Sequence, residues 1–133
     1  MCGIAGFFGL HTSTVSNEVL KQLAHRGPDG DGRFDSPCGY ASLFHTRLAI
    51  QDPTPDGAQP MVSEDGNVAI TFNGEIYNFV EVRDELSAKG HRFHSHCDTE
   101  VLLALYLDRG HDLFDRINGI YAFAIWDARN SSL

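Results

Sequence analysis

The chain begins with an apolar stretch, MCGIAGFFG, where most chains carry polar residues that fray. Residues 2–8 combine small, β-branched and aromatic side chains, and Gly9 closes the run. This composition is typical of a short buried strand. We therefore predict that Cys2 lies at the start of a packed strand rather than on a free tail.

The rest of the chain mixes strand-like and helix-like apolar segments without a regular strand–helix–strand repeat. The turn-dense segment 25–32 and the proline-containing segment 52–60 are predicted to be loops. Mixed strands and helices in one chain of this length predict a single domain of the α+β class. Strands are predicted at 40–50, 67–72, 91–96 and 119–127, and helices after Ser16 or Asn17, at 79–89, and from a cap at Asp98 or Thr99 to Leu107.

The net charge, the lengths of the apolar runs and the cysteine content argue against several classes of protein. The net charge of −8 argues against a nucleic acid or an anionic membrane as the partner. No apolar run is long enough to span a bilayer, and the N-terminus lacks the pattern of a signal peptide. Three cysteines without a CxxC pair argue against a disulfide framework, and together these features predict a cytoplasmic protein.

Cys2 is a candidate nucleophile because of its place at the terminus. Removal of Met1 would give Cys2 a free α-amine, whose pKa of about 7.7–8.0 leaves part of it neutral near pH 7. A neutral amine beside a thiol can act as the base that activates it. The alternative is that Cys2 is a small apolar residue in an edge strand, which is the commoner case for this feature alone.

Three further positions offer chemistry, each with a structural alternative. The Asn73 amide and the Gly74 N–H could stabilise an oxyanion, or form an ordinary Asn-Gly hairpin turn. Arg47, near the end of a predicted strand, could bind a substrate carboxylate or form an internal salt bridge. Asp98, at a predicted helix start, could hold a substrate ammonium group or simply cap the helix.

The segment HRFHSHC suggests a metal site, but its spacing argues against one. A strand would place His94 and His96 on one face and His91 on the other. No second pair of ligands has the usual spacing. We predict no metal site here.

Seven blocks of the sequence resemble the class II glutamine amidotransferases in their order and spacing. The similarity is greatest to the glutaminase domain of glutamine-hydrolysing asparagine synthetases and extends from Met1 to about Asp127. It implies an Ntn-hydrolase-like fold, a four-layer αββα sandwich with two antiparallel sheets between helical layers. The blocks are MCGIAGFFG, HRGPDG, HTRLAIQD, GAQPM, TFNGEIYN, HSHCDTEVLLALY and NGIYAFAIWD.

The resemblance also implies how the candidate residues work. Met1 would be removed and Cys2 would attack the side-chain amide of glutamine. Asn73 and the Gly74 N–H would form the oxyanion hole, and Arg47 would bind the α-carboxylate of glutamine.

Other positions of the family's glutamine site have counterparts here. Glu75 and Asp98 fall where the family binds the α-amino end, and Ile50 and Gln51 fall where it lines the pocket through the backbone. Gln51 departs from the aliphatic residue that is usual in the family. The HRGPDG block falls in the loop that closes over bound glutamine.

Length is a second departure from the family pattern. In the family, YAFAIWD is followed by more of the second sheet and by an ATP-using synthetase domain. We therefore expect residues 1–133 to be a glutamine amidotransferase domain that is incomplete at its C-terminal end and lacks the synthetase domain. We also expect weak stability and association through an uncovered strand edge near YAFAIW.

The predicted function is hydrolysis of glutamine to glutamate and ammonia, with asparagine synthesis from aspartate as the favoured use of the ammonia. Glutamine is the expected small-molecule partner, and a synthetase domain in cis or in trans is the expected protein partner. The glutaminase step needs no cofactor, whereas ATP and Mg²⁺ belong to the synthetase domain. The alternatives are a glutaminase that serves another acceptor and a non-catalytic remnant or interaction module.

Overall fold

A computed structural model describes residues 1–9, 15–50 and 52–133, and these residues form two three-stranded antiparallel sheets and three α-helices. The first sheet has the strand order β1-β3-β2 and the second has the order β4-β5-β6. The strands are β1 (Gly3–Phe8), β2 (Gly30–Asp35), β3 (Ala41–Arg47), β4 (Met61–Val62), β5 (Val68–Ile76) and β6 (Gly119–Asp127). The helices are α1 (Glu18–Leu23), α2 (Phe79–Ala88) and α3 (Asp98–Arg109).

The two sheets pack face to face through alternate residues of their strands. Leu43 of β3 meets Ala69 of β5 and Trp126 of β6 in one buried cluster. Because successive side chains of a strand point to opposite faces, the neighbouring residues of β3 face outward. There α1 covers the sheet, and the Thr46 hydroxyl donates a hydrogen bond to the Leu23 carbonyl at 3.0 Å.

The opposite face of the second sheet packs against α2 and α3, which bury their apolar stripes on it. The layers therefore follow the order helix, sheet, sheet, helix. No helix among the described residues is long and apolar enough to cross a lipid bilayer. The larger core cluster includes Val68, Ile70 and Phe72 of β5, Val82 and Leu86 of α2, and Val101, Leu102 and Leu105 of α3.

Strand β2 is a correction to the sequence analysis, which assigned residues 25–32 to an exposed loop. Residues from Gly30 onward pair with β3 along its whole length. The strand begins Gly-Asp-Gly, a composition that favours turns, so its strand character comes from its partner. Arg33 fixes it further, by an ion pair with Asp35 and a hydrogen bond of 2.9 Å to the Val15 carbonyl.

The strand predicted at 91–96 is wrong, because this segment is irregular in the structure. Three of its backbone donors are satisfied by carboxylates instead of by a neighbouring strand. The N–H groups of His94 and Ser95 donate to Glu100, and the N–H of His96 donates to Asp52.

The Asn73-Gly74 pair is not a hairpin turn, since β5 continues through it to Ile76 while paired with β6. The outer strands are also less buried than predicted. Strand β1 is an edge strand, buried at Gly3 but with Phe8 55% exposed, and β6 is the edge of the second sheet within the described chain. Association through that edge stays a prediction.

The α3 core gives a direct test of the packing. Replacing Leu102, which is 1% exposed, by alanine should lower the free energy of unfolding by about 2–5 kcal/mol through lost contacts and a cavity. The matched control is Leu107→Ala on the same helix, because Leu107 is 37% exposed and should cost far less. Urea unfolding followed by Trp126 fluorescence measures both. Equal losses would contradict the assignment of the buried face.

Candidate active site

A cavity of about 300 Å³ opens between the sheets, at the end where β1 begins and β3 ends. Most of the residues predicted from the sequence to form the site line this one cavity. Gln51 is the exception, because it lies outside the described residues. The predicted residues that line the cavity are Cys2, Arg47, Ile50, Asn73, Gly74, Glu75 and Asp98.

Cys2 is half-buried at the cavity wall and is held by the backbone that follows β3. The Leu48 N–H donates to its sulfur at an N···S distance of 3.4 Å, and the Leu48 carbonyl oxygen lies 3.8 Å from the sulfur. These contacts depend on the pairing of β1 with β3, which places Gly3 opposite Thr46. The sheet therefore fixes the position of the thiol.

The register between β5 and β6 determines where the backbone donors of β5 point. Just beyond the paired residues, the Tyr77 N–H donates to the Asn118 carbonyl at 2.7 Å. In an antiparallel pair, residues that bond to the partner strand alternate with residues that do not. The N–H groups of residues 72, 74 and 76 therefore point away from β6, towards the opposite edge of β5.

Side chains accept hydrogen bonds from two of these three N–H groups, and the third borders the cavity. The Phe72 N–H donates to Gln59 Oε1 at 2.7 Å, and the Ile76 N–H donates to Asp98 Oδ2 at 3.0 Å. The Gly74 N–H lies between them on the same edge, without an acceptor on the neighbouring strand. It is thus available to a molecule in the cavity.

Position 74 must be a glycine for this donor to be exposed. A Cβ atom there would lie 2.4 Å from the Ile120 carbonyl oxygen and 2.6 Å from the Tyr121 Cα, which is too close for any side chain. The preceding residue, Asn73, lines the cavity, and its side-chain amide forms no hydrogen bond with the described residues. Two hydrogen-bond donors from consecutive residues therefore border the same cavity. Donors aimed at a reacting carbonyl oxygen are what an oxyanion site requires.

Arg47 also lines the cavity and makes no ion pair with an acidic side chain in the described part of the chain. Its guanidinium donates to two backbone carbonyls, those of Thr54, at 2.9 Å, and Asp52. Gly57 makes room for it, since a Cβ atom there would lie 2.5 Å from Nη2. The internal salt bridge weighed as an alternative is therefore absent among the described residues, and the guanidinium group borders the cavity.

Asp98 is the first residue of α3, and Cys97 is its N-cap, one residue earlier than predicted. The Asp98 side chain is buried, and burial raises the pKa of its carboxyl group. Hydrogen bonds from the Ile76 and Thr99 backbones oppose this rise, while the charge of Glu75 adds to it. A cation in the cavity would favour the ionised carboxylate.

Asp52 joins the two loops that border the site. One carboxylate oxygen accepts hydrogen bonds from the Thr54 backbone and hydroxyl, and the other accepts the His96 N–H at 2.8 Å. These hydrogen bonds lower the pKa of Asp52 to about 2. The loop that holds Arg47 is thereby fixed to the segment that leads into Asp98.

The sequence analysis did not identify four residues that line or support the site. Three of them contact partners far along the chain, and the fourth reaches the cavity through sheet packing, so no local pattern marks them. His45 sits inside an apolar strand, and Gln59 lies in a proline-rich segment that reads as a loop. The four are His45, Leu48, Asp52 and Gln59. Within the described residues, no group of three or more histidine, cysteine or acidic side chains could hold a metal ion.

The whole chain matches a known protein family. The model of the glutamine amidotransferase domain family matches residues 1–133. The chain belongs to this family. Glutamine amidotransferase domains of similar sequence occur in longer proteins. Asparagine synthetase [glutamine-hydrolyzing] 1 of Bacillus subtilis is 41% identical over 141 residues, and the match covers all of this chain but 22% of that protein.

Other relatives agree with this placement. Asparagine synthetase [glutamine-hydrolyzing] 1 of Arabidopsis thaliana is 39% identical over 137 residues, which cover 99% of this chain and 23% of that protein. This amidotransferase chain thus spans less than a quarter of the length of these curated relatives.

The fold is shared with a more distant enzyme. Glutamine phosphoribosylpyrophosphate amidotransferase from B. subtilis, solved with ADP and GMP, superposes with a TM-score of 0.80. At 22% identity, the match covers 96% of this chain and 35% of that one. This likeness, with the layer order above, confirms the predicted α+β class and the Ntn-hydrolase-like sandwich.

The role of Asp52 in the amidotransferase site predicts a pH-dependent stability. Because its pKa is about 2 in the folded chain and 3.8 in the reference state, its stabilisation is present above about pH 4 and is lost as the pH falls towards 2. Asp52→Asn should therefore be less stable than the wild type at pH 6, and the gap should close near pH 2.

Urea unfolding at a series of pH values measures that gap. Asp56→Asn is the matched control, since Asp56 is exposed in the same loop and accepts no hydrogen bond from the described residues, so its replacement should change the free energy of unfolding far less. A gap that stayed constant down to pH 2 would show that the Asp52 charge is not involved.

Proposed function

We propose that this chain hydrolyses the side-chain amide of glutamine, with Cys2 as the nucleophile after removal of Met1. The observation that carries the proposal is the convergence of the Cys2 thiol with two free hydrogen-bond donors, from Asn73 and Gly74, on one cavity. A thiol beside an oxyanion site is the arrangement that acyl transfer requires.

The charged groups of the cavity suit an amino acid as the substrate. Arg47 supplies a cation for the α-carboxylate of glutamine, since it forms no ion pair with a side chain of the described residues. Asp98 and Glu75 supply negative charge for the α-ammonium group. Ile50 lines the cavity beside them, and Gln51 follows it in the sequence.

The chemistry follows from these positions. The α-amine of Cys2 takes the thiol proton, and the thiolate attacks the amide carbon of glutamine. The oxyanion of the tetrahedral intermediate accepts hydrogen bonds from Asn73 and Gly74. The protonated amine returns its proton to the leaving nitrogen, which departs as ammonia and leaves a thioester. The amine then deprotonates a water molecule, which hydrolyses the thioester to glutamate and restores the thiol.

We further propose that the ammonia serves asparagine synthesis from aspartate. The names of the relatives at about 40% identity support this use. The reaction would need a synthetase domain, in cis or in trans, with its own ATP and Mg²⁺. Transfer to a phosphoribosyl acceptor is the second candidate, which the shared fold of the phosphoribosylpyrophosphate amidotransferase favours. A reducing cytoplasm suits the free thiol of Cys2.

The nucleophile is tested by a pair of cysteine variants. Cys2→Ala should lower the release of glutamate from glutamine by at least about 10³-fold, because no other group in the mechanism forms the thioester. Cys38→Ala should keep the wild-type rate, because Cys38 is exposed and does not line the cavity. Intact mass should show loss of Met1 in both variants. Equal rates for the wild type and Cys2→Ala would show that the activity does not come from this site.

Variants of the oxyanion site and of the carboxylate site should affect different kinetic constants. Asn73→Ala removes a donor to the oxyanion and should lower kcat by about 10²–10³-fold with little change in KM. Arg47→Lys should mainly raise KM, by about tenfold, since it loses a charge-assisted hydrogen bond worth about 1.5 kcal/mol. Steady-state glutaminase assays measure both. An effect of Asn73→Ala on KM alone would rule out its role in the oxyanion hole.

A further inference from the structure

His45 is a buried histidine at the floor of the cavity, and the mechanism above does not use it. It lies within β3, paired with Ile4 of β1 on one side and with Gly32 of β2 on the other. Alternation along β3 places it on the same face as Leu43 and Arg47, between the two sheets. Its side chain lines the cavity and the residue is 1% exposed.

Neither nitrogen of the His45 ring has a hydrogen-bond partner among the described residues. Buried polar atoms are nearly always paired, and an unpaired one is costly. The backbone groups of β1 and β2 beside the ring are not available to it, because they pair with β3. The Phe72 backbone of β5 lies near the ring but outside hydrogen-bond geometry, and the rest of the space beside the ring is the cavity, where a bound molecule can supply a partner.

The environment of His45 also fixes its charge. Burial lowers the pKa of its imidazole to about 4, and the positive charge of Arg47 acts in the same direction. The backbone of Phe72 opposes this shift but lies outside hydrogen-bond geometry. At neutral pH the ring is therefore uncharged and presents one N–H donor and one lone pair.

His45 is not placed to act as a general base for Cys2. The Cys2 sulfur contacts Leu48, so the thiol is not hydrogen-bonded to the imidazole. What a neutral imidazole can do is recognise a neutral polar group. A carboxamide offers an NH₂ donor and a carbonyl acceptor, whereas a carboxylate offers acceptors only.

We propose that His45 is a specificity-determining residue whose ring hydrogen-bonds the carboxamide end of bound glutamine. This inference rests on the proposed function, because it takes glutamine as the substrate. The ring nitrogen that carries the lone pair accepts from the NH₂ group of the substrate. In the product this end is a carboxylate, which would face the same lone pair with negative charge. His45 thus favours binding of glutamine over retention of glutamate.

The test uses variants made in the Cys2→Ala background, so that glutamine binds without turnover. His45→Phe keeps a ring of similar size and removes both nitrogens. We expect the ratio of the Kd for glutamate to the Kd for glutamine to fall about tenfold, the value of one buried hydrogen bond. We also expect the Tm of the empty protein to stay equal or rise, because two unpaired buried atoms are removed. A purely structural histidine would give a lower Tm and an unchanged ratio, which would overturn the proposal.

Conservative variants locate the interacting nitrogen. The amide of asparagine reaches the position of Nδ1, and the amide of glutamine reaches that of Nε2. One of His45→Asn and His45→Gln should therefore recover part of the discrimination between the two ligands. His111→Phe is the matched control, since His111 is exposed and does not line the cavity.

Nitrogen NMR of Cys2→Ala labelled with ¹⁵N at histidine and asparagine tests the contact without altering His45. Saturation with glutamine should shift the His45 ring nitrogens and leave those of His111 in place. If the Asn73 amide signals saturate with glutamine and the His45 nitrogens do not move, the proposal fails and the glutaminase site stands. If neither responds to glutamine, the proposed function fails and this inference fails with it.

Discussion

Strand β5 is paired unequally on its two edges, and the candidate site depends on that inequality. Its edge towards β6 is paired over nine residues, whereas its edge towards β4 is paired over only two. Backbone donors on the uncovered part need other acceptors, because buried N–H groups are rarely left alone. Gln59 and Asp98 supply two such acceptors, and Gly74 is left between them. The short β4 therefore creates both the space and the donor at its centre.

The layer between the sheets changes character along the strands. At one end Leu43, Ala69 and Trp126 form an apolar cluster. At the other end the same faces of β3 and β5 carry His45, Arg47 and Asn73, together with the cavity. Polar groups in such a layer cost stability unless they are paired. The apolar cluster and the core under α2 and α3 offset that cost, so that the polar end can stay open to a ligand.

The sequence predicted the parts of this fold that have strong local signals. The apolar runs of β5 and β6 and the stripes of α2 and α3 lie close to their predicted positions. The errors fall where a distant partner decides the structure. Residues 30–35 become a strand because β3 lies beside them, and residues 91–96 do not, because carboxylates take their donors.

In the site, too, the features with local sequence signals were predicted and those set by distant partners were not. Motif blocks in order and spacing were enough to select Cys2, Arg47, Asn73 and Asp98 as neighbours in one site, although each had a commoner structural explanation alone. The orientation of the Gly74 N–H and the free nitrogens of His45 follow from register and sheet packing. No pattern along the chain encodes them.

Asp52 has a further consequence through its place between two loops. The guanidinium of Arg47 rests on carbonyls of one loop, and Asp52 ties that loop to the segment that leads into Asp98. The separation of the cation and the carboxylate is therefore set by a short chain of hydrogen bonds rather than by the long path of the backbone. Under the proposed function, this fixed separation would select amino acids by the distance between their carboxylate and ammonium groups. An amino acid with a larger distance between these two groups could bind only if the hydrogen bonds of Arg47 and Asp52 rearranged.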